Sequence, residues 1–131
     1  MVSMRRLSVL FVLAMILSAF KFAGDGPDAR HLHLLRSEPA ADTVVNAMPT
    51  AVNLWFSEPP EVKVTTVKLT MPGGETVALA RVTADEEDAS HVVAAVEAGA
   101  GPGAYKVEWR TMSRDGHVVN GDLSFHVQPA N

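Results

Sequence analysis

The 131-residue sequence contains no cysteine. Thiolate metal sites, zinc ribbons and disulfide exchange are excluded together, and stability has to come from the core alone. No apolar run is long enough to cross a bilayer: the longest, residues 7–20 (LSVLFVLAMILSAF), falls short of the ~20 residues a spanning helix needs. No run of lysine or arginine offsets a net charge of −4, so a phosphate backbone finds no complementary surface and nucleic acid is not expected as a partner. After residue 30, apolar positions nowhere repeat at helical spacing for three turns, which argues against a helical domain.

The first thirty residues differ from the rest. Arg5 and Arg6 precede the apolar run, the order of a secretory signal. Residues 1–30 are therefore expected to be a signal peptide and processing region, and residues 31–131 one domain exported across the cytoplasmic membrane to the periplasm. Cuts after Ala19 or Ala23 follow small residues, whereas a cut after Arg30 frees the amine of His31. Without residues 1–30 the chain keeps 7 basic and 13 acidic residues, a net charge of −6. Such a surface suits a protein that meets cations. At 47% hydrophobic the chain has enough apolar material to bury a core.

Short alternating or β-branched segments fill the remainder. They are residues 31–36, 52–56, 62–71, 75–82, 91–96, 104–112 and 123–127, separated by turn residues such as Ser57-Glu58-Pro59-Pro60 and Pro72-Gly73-Gly74. About seven segments at this spacing predict an all-β fold, a Greek-key or Ig-like sandwich or barrel.

Two histidine groupings then stand out: His31-Leu32-His33 where the domain begins, and Asp115-Gly116-His117 in a turn before the last strand. Residues two apart in extended chain point to one side, so Asp115 and His117 can offer a carboxylate oxygen and an imidazole nitrogen to one point. If His31 is the first residue, its amine and ring nitrogen chelate the same ion. Two imidazoles, an amine and a carboxylate form the square-planar N/O set that favours Cu(II). Cu(I) wants thioethers or thiolates, and after residue 30 only Met48, Met71 and Met112 remain, scattered.

Several motifs in order match one family. His31-Leu-His-Leu-Leu-Arg-Ser-Glu-Pro39-Ala40 is similar to an opening His-x-x-L-x-x-S-x-P-A, and Leu54-Trp55-Phe56-Ser57-Glu58 to L-x-F-S-E. Gly103-Ala-Tyr105-x-Val107-x-Trp109-Arg110 and Ser113-x-Asp115-Gly-His117-x-x-x-Gly121 are similar to G-x-Y-x-V-x-W-R and S-x-D-x-H-x-x-x-G. Over residues 31–131 the chain resembles the CopC family of periplasmic copper-resistance proteins, and with no Met-rich loop it is similar to the Cu(II)-only members. The resemblance implies copper ligation by His31, Asp115 and His117, a role in copper homeostasis, and delivery to a membrane transporter of the CopD type.

Other roles are set beside these. A copper held by an N-terminal histidine can activate oxygen if a coordination position stays open, which would make the protein an enzyme; Asp115 fills that position here. A metal-free Ig-like interaction module is the third reading, since fold does not fix function. His33, His91 and His126 read as surface histidines, and Asp85-Glu86-Glu87-Asp88 as a solvated acidic turn. Trp55, Phe56, Tyr105, Trp109 and Phe125 read as packing residues.

Overall fold

A computed structural model describes residues 31–131; the expected signal and processing region, residues 1–30, lies outside the described residues. Alternation builds the fold. In Ala51–Phe56 the residues Val52, Leu54 and Phe56 are buried while their neighbours are not, and Gly103–Met112 buries Tyr105, Val107, Trp109 and Thr111 in the same rhythm. A pleated chain sends alternate side chains to opposite faces, so each strand gives one face to the core.

The strands are β1 (Leu34–Glu38), β2 (Val44–Val45), β3 (Ala51–Phe56), β4 (Thr66–Thr70), β5 (Thr76–Val77), β6 (Thr83–Ala84), β7 (His91–Ala95), β8 (Gly103–Met112) and β9 (Val118–Val127), with a 3-10 turn at Val62–Val64. One sheet runs β1-β3-β7-β6 and the other β2-β9-β8-β4-β5. All pairings are antiparallel except β2 on β9. The seven segments read from sequence all carry strands, and the two-residue strands β2 and β6 are additions. Among the described residues no helix is long and apolar enough to cross a membrane.

Aromatic contacts tie the layers together. Phe56 of β3 meets Trp109 of β8 edge to face at 5.2 Å between ring centres, joining the two sheets. Tyr105 stacks on Phe125, its partner across β8 and β9, at 5.5 Å. The Tyr105 hydroxyl donates to the Gly101 carbonyl, so the ring is packed at one end and hydrogen-bonded at the other. Trp109 faces Gly121 on β9, where an added Cβ would lie 2.6 Å from the indole. Only glycine leaves room for that ring.

Trp55 does not join this core. It lies out of phase with Val52, Leu54 and Phe56, so it points to the other face of its sheet. There the Arg36 guanidinium sits 3.8 Å from its ring centre and the His91 ring stacks on it at 4.2 Å. His91 is correspondingly no solvated histidine: its Nε2 pairs with Asn53 Oδ1 at 2.8 Å and its side chain is 15% exposed.

Two features bring chain segments to one end of the sandwich. Strands β8 and β9 pair without a break from Gly103↔Val127 to Met112↔Val118 and end in the turn 113–117. The leading segment is fastened to the end of β3 by two hydrogen bonds, His33 N–H to the Ser57 side-chain Oγ at 3.1 Å and Ser57 N–H to the His33 carbonyl at 2.9 Å. Leu32, 2% exposed, anchors it to the core.

Candidate metal centre

The β8–β9 turn is the stiffer half of the site. Ser113 N–H donates to the His117 carbonyl at 2.9 Å, and Gly116 N–H donates to the Ser113 carbonyl at 3.0 Å. Arg114, Asp115 and Gly116 are thus the loop of a three-residue hairpin. Its last position must be left-handed, and Gly116 sits there at φ +91°. Asp115 and His117 flank that glycine and project together.

Their side chains meet directly, with His117 Nδ1 2.9 Å from Asp115 Oδ2. Two donors at right angles on one ion, each bonded at ~2 Å, stand ~2.8 Å apart. The pair therefore already has the bite of two neighbouring ligands, with a proton where an ion would sit.

Ser113 completes the arrangement. Its buried hydroxyl donates to Asp115 Oδ1 and accepts the His117 backbone N–H at 3.2 Å. The Ser113 hydroxyl first, then the His117 side chain, hold the Asp115 carboxyl down from 3.8 to about 2. A carboxylate kept ionised needs to lose no proton before it binds a cation. In the sequence Ser113 stands out only as a motif residue; the signal of its role is a hydroxyl two residues before an aspartate in a turn.

Because the carboxyl is depressed in the folded chain, its stabilising effect is complete above pH ~4 and disappears as pH falls through about 2. In Ser113→Ala the strongest of these interactions is gone, and the Asp115 carboxyl should titrate measurably closer to 3.8 in an NMR pH titration. An unchanged midpoint contradicts the role given to the hydroxyl.

His31 reaches the turn from the other segment. Its ring lies 5.7 Å from that of His117, edge to face. Two imidazoles sharing an ion at ~2 Å have ring centres ~4.5 Å apart when adjacent and ~6 Å apart when opposite, and the observed spacing falls between. Among the described residues, however, no three His, Asp or Glu side chains are already drawn around one point. An ion shared by all three would require side-chain rotation. His117 and Asp115 are 67% and 61% exposed, so nothing packed resists that rotation.

The other candidates stand apart. His126 is exposed on β9, the acidic turn is held by its own hydrogen bonds from Glu87 and Asp88 N–H to Asp85 Oδ1, and Glu58 and Arg110 form no ion pair among the described residues.

The chain as a whole has relatives among known proteins. The profile of the CopC domain matches residues 34–128. Copper resistance protein C of Xanthomonas campestris pv. juglandis is 31% identical over 126 residues, covering 92% of this chain and 93% of the relative. Protein YobA of Escherichia coli K12 is 34% identical over 98 residues, covering 75% of this chain and 79% of its own length. The solved structure of CopC from Methylosinus trichosporium OB3b superposes with TM-score 0.71 at 26% identity, covering 77% of this chain and 97% of that one. PcoC, a copper resistance protein from Escherichia coli, superposes with TM-score 0.65 at 34% identity over 73% of this chain and 99% of its own.

Proposed function

The chain belongs to the CopC family, and from that premise we propose that it captures one Cu(II) ion through His31, Asp115 and His117 and sequesters or carries it in the periplasm. The observation that supports this most is the convergence of the three side chains: 5.7 Å between the two imidazole centres and 2.9 Å between His117 Nδ1 and Asp115 Oδ2. Core packing brings the two segments to one end of the sandwich, but it gives three exposed side chains of metal-binding type no reason to face one another there. A shared ion supplies one.

Imidazole and carboxylate are donors of the hardness and geometry Cu(II) prefers, and no cysteine competes. The cation displaces the proton shared by His117 and Asp115, so capture releases protons and weakens on acidification. Binding and release are the whole activity, with no substrate turned over. In this reading residues 1–30 direct export, and removing them frees the His31 amine as a fourth donor. The exposed position of the site suits transfer to a CopD-like membrane transporter.

Intact mass of the exported protein is expected to place its N-terminus at His31. The same protein, loaded with excess Cu(II) and passed through gel filtration, should retain one copper per chain. Copper eluting entirely apart from the protein contradicts the function.

A further inference from the structure

We propose that His33 is a positioning residue that holds His31 toward the β8–β9 turn, an inference that rests on His31 being a copper ligand. The His33 ring turns back on its own chain, with Nδ1 2.8 Å from the His31 carbonyl oxygen. A carbonyl only accepts, so Nδ1 carries the hydrogen and donates it. That bond occupies the nitrogen nearest the backbone. His33 is thereby spoken for as a donor within its own segment, while the ring edge-on to His117 belongs to His31.

The back-bond matters because of what lies on either side of it. Residues 32 and 33 are already held, Leu32 by burial and the His33 backbone by its two hydrogen bonds with Ser57, one to the Ser57 hydroxyl and one from its N–H. His31 is exposed and lies one residue before that clamp. The His33 ring is the link that extends the clamp by one residue. By holding the His31 carbonyl it restricts rotation about the adjoining Cα–C bond. That bond sets where the His31 nitrogen and side chain point. Without the link, the ligand must be ordered when copper binds, and that cost is subtracted from affinity.

Partners that orient a metal ligand typically change affinity by ~10–100-fold when removed. The restraint here acts through one hydrogen bond to a backbone carbonyl, which puts it at the lower end.

The test uses the exported protein, titrated with Cu(II) against a competing chelator, with thermal melts of the metal-free form and pulsed EPR of the loaded form. His33→Ala should weaken Cu(II) about tenfold, leave the metal-free melt unchanged and leave the number of copper-bound imidazoles as in wild type. His33→Asn, whose amide N–H can stand where the Nδ1–H stood, should recover most of the loss. Wild-type affinity in His33→Ala overturns the inference while leaving the copper site intact. A missing imidazole in its EPR spectrum overturns it by making His33 a ligand, and a lowered metal-free melt overturns it by making His33 structural. If wild type binds copper no tighter than His117→Ala, the copper reading and this inference fail together.

Discussion

A His117→Ala protein is expected to bind Cu(II) at least ~100-fold more weakly than wild type while its metal-free form melts at nearly the same temperature. Removing groups that merely orient a ligand already costs ~10–100-fold, so loss of a ligand itself should exceed that range. The substitution also strips Asp115 of the side chain 2.9 Å from its Oδ2, leaving the carboxylate with the Ser113 hydroxyl and the backbone N–H of residue 117. Stability is spared because His117 is 67% exposed and lies outside the packed core, where substitutions usually change stability by less than ~0.5 kcal/mol. A competition titration reads the first effect and a thermal melt the second. Equal affinities contradict the assignment.

Trp109→Ala should produce the opposite pattern, a large loss of stability. Trp109 is 7% exposed, meets Phe56 across the sandwich and fills the space over Gly121. Among the described residues its buried indole N–H has no hydrogen-bond partner, so the ring is held by packing and its removal leaves a cavity. Substitutions of this kind cost ~3–5 kcal/mol, which for a domain of this size lowers the melting temperature by ~12 °C or more. Gly121→Val should destabilise for the complementary reason, since even a Cβ at that position would come within 2.6 Å of the indole. Thermal unfolding followed by circular dichroism measures both. A melt within a few degrees of wild type for Trp109→Ala would show that the two sheets do not depend on this contact.

The contrast between these two variants reflects how the chain divides its work. Strands β3, β8 and β9 are legible in the sequence because each buries alternate residues and so carries a period of two. Strands β2 and β6 are not, since two residues carry no period. Val44–Val45 is a strand because it lies along β9 at His126 and Val127, and Thr83–Ala84 because it lies along β7. The stacking of His91 on Trp55 is likewise not legible in either residue alone. Their stacking follows from the register that sets Trp55 opposite Arg36 on one side and His91 on the other, and register is a property of pairs of strands.

At the candidate site, the Asp115 and His117 pair could be read from their spacing around Gly116. The approach of His31 could not. It depends on Leu32 being buried and His33 being bound to Ser57, contacts that span 24 positions in the chain. Family resemblance suggested that His31 belongs with the other two, and the fold supplies the physical route. Ser113 was visible as a residue without a role until its hydroxyl was seen between the Asp115 carboxylate and the His117 backbone.

Pulsed EPR on the copper-loaded exported protein addresses the centre most directly, because it counts the imidazoles bound to the ion. Two are expected in wild type, and one in each of His31→Ala and His117→Ala. The same count in all three proteins would mean that the copper sits elsewhere and that these side chains do not share it.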